Sequence, residues 1–389
     1  MRDTYQTILL VDHVAEAIDS IIDACSHIAL RPVKVSTAYN CDYAKELLNE
    51  HDFSLVIAGL SETFTVDDIA SLAEFHAPKP ILVLMPEAKC DQVLLALRKG
   101  ANDVFIQSEI AEKSADFSDS IAKLLLLADL IEKKLHYRNE LEKSLSELQI
   151  DQQAALQIQQ NMLPDKELNV GGLLARYLLI PSLYLSGDFV DVVPIDADKT
   201  MFYLADVSGH GASSALVTVL LKNMTNRLVR NYNRSSSFDI LSPVNTLYRI
   251  NSELLETELG KHLSIFVGLF DNKDSSLTYA IGGHHPMPIL TDAVGTRFLE
   301  GRGMPVGLFP EPLFDERKLQ LLDEFEITLF SDGILEMLPE GNMSAKEQRL
   351  IDAVIAVNGA GPDVIKEALL PDIINDAPDD IAIMTVCRQ

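Results

Sequence analysis

Between Ser118 and Met162 the chain contains neither glycine nor proline. Those two residues are the strongest helix breakers, so the whole stretch is free to form one continuous helix. Apolar residues fall at Leu124, Ala128, Ile131 and Leu135, and again at Leu141, Leu145, Leu148, Ala155 and Met162. These 4-3 steps form the seam of a coiled coil, with a phase slip between Leu135 and Leu141. Pro164 ends the helix. A parallel homodimer through this segment is the expectation, and an amphipathic helix packed on its own domains is the alternative. The helix divides the chain into residues 1–118, a linker at 119–163 and a C-terminal domain at 164–389.

A chain of 389 residues is too long for one typical core, and its 47% apolar content suits two. No stretch is long and apolar enough to span a bilayer. The N-terminus runs straight into a strand pattern without a signal-peptide layout. The four cysteines, Cys25, Cys41, Cys90 and Cys387, lack metal-ligand spacing and read as free thiols of a cytoplasmic protein. Lys and Arg total 32 against 58 Asp and Glu, a net charge of −26. Such a surface repels nucleic acid and anionic membrane, so neither is expected as a partner. An anionic substrate needs a local cation to draw it in.

Residues 1–118 alternate short apolar runs with helical segments. The runs are Ile8–Val11, Leu55–Ala58, Ile81–Leu84 and Asp103–Ile106. This pattern predicts an α/β doubly wound parallel sheet whose functional edge lies at the strand C-termini. The segment resembles a response-regulator receiver domain, flavodoxin-like in fold. The resemblance implies an acid pair after strand one, a phosphoaccepting Asp after strand three, a hydroxyl after strand four and a Lys after strand five. Here those places hold Asp12 and His13, then Gly59, Met85 and Gln107. Gly59 cannot form an acyl phosphate, and Met85 and Gln107 supply neither hydroxyl nor cation. The expectation is a receiver scaffold without phosphotransfer, with another doubly wound domain as the alternative.

The C-terminal part interleaves many strand signals with helical patterns at 212–231, 239–258 and 344–357, predicting an α+β sandwich. Four acidic turns follow or precede strand-like runs: Ser186-Gly187-Asp188, Ala205-Asp206-Val207-Ser208-Gly209-His210-Gly211, Phe330-Ser331-Asp332-Gly333 and Pro378-Asp379-Asp380. One such turn is ordinary loop chemistry. Four acids meeting at one edge repel each other unless a cation lies between them. An all-oxygen set without a His/Cys complement favours Mg²⁺ or Mn²⁺. Two such ions polarise a phosphoryl group and activate water for in-line attack. His210, His284 and His285 read as structural histidines in turns.

These turns, in this order, resemble the SpoIIE-type branch of the protein phosphatase 2C (PPM) family, as does Gln159-Gln160-Asn161-Met162-Leu163-Pro164 ahead of them. The whole layout is similar to RssB-type response regulators, which join a receiver to such a phosphatase. Ser186 stands where a Gly-Gly-Asp turn is usual. The resemblance implies a PPM-type sandwich and a protein serine/threonine phosphatase, dependent on two Mn²⁺ or Mg²⁺ ions. Carried over by motif, Asp206 bridges both ions, the Val207 carbonyl and Asp188 hold one, and Asp332 and Asp379 hold the other. Asp191 and Asp380 become outer partners that orient these ligands. The implied substrate is a phosphoserine or phosphothreonine on an anti-sigma-factor antagonist. A non-enzymatic adaptor that controls a sigma factor by contact is the alternative, and it needs no metal ligands.

Overall fold

The computed structural model describes residues 5–11, 32–371 and 377–388, except 63, 88, 111, 210, 340 and 358. Asp12, His13 and His210 lie outside the described residues. The chain forms two compact units, Met1–Ser146 and Glu147–Gln389.

The first unit holds a five-stranded sheet of β1 (Gln6–Val11), β2 (Val33–Ala38), β3 (Leu55–Gly59), β4 (Ile81–Met85) and β5 (Asp103–Ile106). All pairings are parallel, and the order is β2-β1-β3-β4-β5. This is the flavodoxin-like doubly wound order. Alternate residues serve opposite faces. Leu9, Val11, Val56, Ala58, Val83 and Met85 pack against α1 (Cys41–Glu50), α2 (Val66–His76) and α3 (Cys90–Arg98). Ile8, Leu10, Leu55, Ile57, Leu82 and Leu84 pack against Phe117, Ile121, Leu124 and Leu125 of α4 (Ser114–Gln160). Both faces are covered, which is why these strands read as unbroken apolar runs.

Helix α4 is continuous and starts earlier than the glycine- and proline-free stretch suggested. Its first turns belong to the first unit's core. Leu135, Leu141, Leu145 and Leu148 of the predicted seam are exposed.

The second unit is a sandwich of two antiparallel sheets between helical layers. One sheet has the order β14-β11-β10-β9-β8, the other β13-β12-β15-β16-β7-β6. Their strands are β6 (Glu167–Val170), β7 (Leu173–Ile180), β8 (Asp188–Pro194), β9 (Lys199–Val207), β10 (Leu263–Asp271), β11 (Ser276–Gly282), β12 (Ile289–Asp292), β13 (Gly295–Phe298), β14 (Glu316–Gln320), β15 (Phe325–Phe330) and β16 (Ile381–Arg388). Between the sheets lie Val190, Phe202, Leu204 and Phe266 from one and Leu173, Ile327, Leu329 and Met384 from the other. Helices α5 (Ala212–Asn233) and α6 (Pro243–Glu256) cover the outer face of the first sheet. The short α7 (Gly333–Met337), with α8 (Met343–Val357) and α9 (Pro362–Leu369), covers the second. The sandwich brings the ends of β8, β9, β15 and β16 to one edge.

Candidate metal centre

Strand pairing creates the centre. Asp188 opens β8, and Asp206 lies directly opposite it near the end of β9. Both share the parity of Val190 and Leu204, so both carboxylates point between the sheets. From the second sheet, Asp332 follows β15 and immediately precedes α7, while Asp379 and Asp380 precede β16. The ladder continues past β15 through Ser331 N–H to the Ala382 carbonyl, 3.0 Å, which aligns these two ends. Gly333 is required there, because a Cβ would stand 2.1 Å from the Asp380 carbonyl oxygen. Gly187 is required for a similar reason: a Cβ would stand 2.8 Å from the Val207 carbonyl oxygen.

The electrostatics show that the acids share one space. Burial pushes Asp188 well above the usual carboxylate range, and Asp206, Asp380 and Asp332 push it further. Asp206 is raised to about 7, first by burial and then by Asp332, Asp379 and Asp380, against a hydrogen bond from Ser264. Asp332 is raised by burial of its surroundings and by Asp379. Like charges directly opposite on neighbouring strands are destabilising. Asp188 is 2% exposed, and its Oδ2 has no hydrogen-bond partner.

An orphaned buried carboxylate oxygen among mutually repelling acids fits a hard dication. Among the described residues, no three His, Cys, Asp or Glu side chains converge tightly enough to hold an ion alone. A Mg²⁺-like ion suits such a site, since it binds through one or two carboxylates and keeps several waters.

Of the neighbours that position these acids, Asp380 was expected in that role from the sequence, and the others were not. Ser186, the departure from the usual glycine, accepts the Asp188 N–H at 3.0 Å. Ser331 also bonds the Asp188 side chain. Asp380 accepts from Ser182 N–H at 2.6 Å, Ser182 Oγ at 2.9 Å and Gly187 N–H at 2.5 Å, so it ties the turn before β8 to the end of the other sheet. Gln159, in the last turn of α4, is 5% exposed. Its Nε2 donates to the Ser186 carbonyl at 2.7 Å, and its Oε1 accepts the Ser186 N–H at 3.3 Å. Lys261 Nζ donates to the Ser208 carbonyl at 2.8 Å and to Ser214 Oγ at 3.1 Å, placing a cation beside the turn after β9. Nothing in the sequence motifs marked Gln159 or Lys261 for these contacts.

Asp191 is a correction. It lies three residues beyond Asp188 in the same strand, and an odd step points to the opposite face. Its carboxylate faces α5, where Lys222 Nζ donates to Oδ1 at 2.7 Å and Oδ2 at 2.8 Å. Tyr203 Oη adds a bond at 3.2 Å. Asp191 therefore anchors a buried ion pair rather than orienting the acids of the edge. His284 is buried, with neither ring nitrogen partnered, and burial lowers it to about 3, so it stays neutral. His285 Nε2 lies 3.5 Å from Met343 Sδ. In the first unit, Gly59 and Met85 end β3 and β4 and Gln107 follows β5, so all three sit at one sheet edge.

Sandwich, edge and acids define a class: a helix–sheet–sheet–helix domain with a cluster of carboxylates at one edge. Residues 196–389 match the family model "Stage II sporulation protein E (SpoIIE)". The sequence is 25% identical over 259 residues to Protein IcfG of Synechocystis sp., covering 60% of this chain and 40% of that protein. It is 26% identical over 187 residues to the phosphoserine phosphatase RsbP of Bacillus subtilis, covering 47% of this chain and 44% of that one. The chain thus spans less than half the length of these two relatives. The fold is shared with the SiaA-PP2C domain of Pseudomonas aeruginosa at a TM-score of 0.51 and 18% identity, over 62% of this chain and 97% of that domain. The C-terminal domain of this chain belongs to the SpoIIE-type PP2C phosphatase family.

Proposed function

We propose that the chain is a protein serine/threonine phosphatase, dependent on Mn²⁺ or Mg²⁺, that works in a bacterial partner-switching pathway regulating a sigma factor. One observation carries this reading: the cross-strand pair Asp188–Asp206, facing into the sandwich beside Asp332 and Asp379. A fold used only for docking has no reason to keep that repulsion. The name of the relative RsbP, a phosphoserine phosphatase, supports a phosphoserine or phosphothreonine substrate. An anti-sigma-factor antagonist is the substrate class we favour.

In this reading Asp188, Asp206 and the Val207 carbonyl would contribute to holding one ion, and Asp206, Asp332 and Asp379 to holding a second, with water completing each set. Bound dications supply a Lewis acid for a phosphoryl oxygen and lower the pKa of water. The chain's own residues set the geometry. Asp380 fixes the turn before β8, Ser186 and Ser331 aim Asp188, and Ser264 steadies Asp206.

We read residues 1–118 as a receiver-derived domain that has lost its phosphoacceptor, and 119–163 as a linker whose exposed leucines pair two copies. Among the described residues no helix is long and apolar enough to cross a membrane, and we place the protein in the cytoplasm. The deciding experiment is hydrolysis of p-nitrophenyl phosphate and of a phosphoserine peptide, with Mn²⁺ and with chelator. Activity that persists in chelator overturns the metal-dependent reading.

A further inference from the structure

Beside α6 the second unit carries an open groove of about 620 Å³. Its walls are Tyr248, Leu255 and Glu256 of the helix and Pro310, Glu311 and Pro312 of the loop that follows Val306. The apolar walls face solvent: Tyr248 is 41% exposed, and Pro310 is exposed too. On the same loop Leu308, Phe309 and Leu313 are 46%, 42% and 70% exposed. Single exposed apolar residues need no explanation, whereas such a cluster on one loop, bordering a groove, marks an interaction surface.

The groove is already formed. Asn251 of α6 is buried and binds the loop on both sides. Its Oδ1 accepts the Gly307 N–H at 2.8 Å, and its Nδ2 donates to the Phe309 carbonyl at 3.0 Å. The Tyr248 ring packs edge-on against buried Phe314, with centroids 5.1 Å apart. Walls held this way lose little freedom when a partner binds. The loop also starts from the acidic edge. Val306 exchanges both backbone bonds with Leu263, each 2.9 Å, and Leu263 pairs on its other side with Val207.

The charge of the groove selects its occupant. Glu256 and Glu311 line it, and neither has an ion-pair partner among the described residues. Arg249, the only cation of α6, is paired with Asp239, and Lys261 Nζ is held on Ser208 and Ser214. We propose that this groove docks the phosphorylated protein substrate, through a segment with an apolar anchor side chain flanked by lysine or arginine. The anchor lies against Tyr248 and Pro310, and the flanking cations face Glu256 and Glu311. A phosphorylated partner is otherwise repelled by a chain of net charge −26, and a basic segment reverses that repulsion locally. The inference rests on the phosphatase reading and extends it to substrate choice.

Fluorescence anisotropy of the full chain with a labelled peptide, one phenylalanine between two pairs of lysines, tests it. Two controls replace the phenylalanine with alanine, at equal charge, or the lysines with glutamate. The first peptide is expected to saturate, with both controls at least about tenfold weaker. Glu311→Lys is expected to weaken it about tenfold, and Tyr248→Ala at least about fivefold. Glu311→Lys changes an exposed side chain, so the melting temperature and p-nitrophenyl phosphate turnover should stay unchanged. Joining the same segment to a phosphoserine peptide should lower its KM about tenfold in the unchanged chain, but not in Glu311→Lys. The proposal is overturned if the alanine control binds equally well, since charge alone then explains attraction. It is also overturned if both variants leave affinity and KM unchanged. A third refutation is a peptide that does not bind while Tyr248→Ala shifts the oligomeric state in light scattering, which gives the groove to a second copy. Saturable peptide binding by a chain that hydrolyses neither phosphate ester refutes the phosphatase reading instead.

Discussion

Replacing Asp206 with Asn should make the metal-free protein more stable while abolishing its response to metal. Asp206 is raised from 3.8 to about 7 in the fold. Holding it ionised at pH 8 therefore costs about 4 kcal/mol relative to the unfolded chain. Water reaching this half-buried edge screens part of that, leaving an expected gain of about 2 kcal/mol. Asparagine keeps an oxygen for the bond from Ser264 and removes the charge facing Asp188. For a unit of this size, about 2 kcal/mol moves the melting temperature by about 4–8 °C. The sign follows from the raised pKa. The protonated carboxyl is no burden below pH 3.8, and stability is lost as pH rises through about 7. The gap between Asp206→Asn and the unchanged chain should thus be near zero at pH 4 and complete at pH 8. Thermal melts of both proteins in chelator and in excess Mn²⁺, at the two pH values, measure it. Mn²⁺ should raise the melting temperature of the unchanged chain at pH 8 and leave the variant unmoved. A variant that melts lower in chelator at pH 8, or that still responds to Mn²⁺, refutes the reasoning.

Phosphatase activity toward a phosphoserine peptide should fall by at least about a hundredfold in Asp332→Asn, read by phosphate release in Mn²⁺. Lys222→Met should destabilise the fold by about 3 kcal/mol, because Asp191 is left buried and unpaired, yet should not change the Mn²⁺ concentration for half-maximal activity. Gln159→Ala should do the opposite in kind: it frees the Ser186 turn, so the Mn²⁺ requirement should rise about tenfold with little loss in melting temperature. Acetyl phosphate should leave no acid-labile phosphate on residues 1–118, and mass spectrometry detecting an aspartyl phosphate there contradicts the loss of phosphotransfer. Charged substitutions at Leu145 and Leu148 should yield a monomer by light scattering, and an unmodified chain already monomeric at micromolar concentration removes the linker-dimer reading.

Much of this was legible because strands announce themselves. Continuous apolar runs such as Leu55–Ala58 occur where both sheet faces are covered, and each became a strand of the parallel sheet. The acid turns were legible because Asp188, Asp206, Asp332 and Asp379 all sit beside such runs. Asp191 went astray because proximity in sequence outweighed parity: a strand sends residues three apart to opposite faces, and that rule was available from the sequence itself. The contacts of Gln159 and Ser331 were not legible, although both stand in the quoted motifs, and Lys261 stood in none. Their roles depend on which elements meet across the fold, and neither composition nor spacing encodes that meeting. The continuous helix followed from the missing breakers, whereas its start at Ser114 is set by packing of Phe117 on the sheet.

The second sheet places β16 between β15 and β7. Strand β7 therefore emerges from the ribosome long before its main partner has been translated, with β8 to β15 made in between. The first unit is different, since each strand there finds a neighbour among segments synthesised close in time. Nascent chains should thus acquire the parallel domain early and hold the sandwich open until Ile381 and the strand beyond it appear. Asp379 and Asp380 arrive with that same segment, so no partly made chain can assemble the acidic edge. A ribosome-bound copy should in this way show no metal response until its sandwich can close.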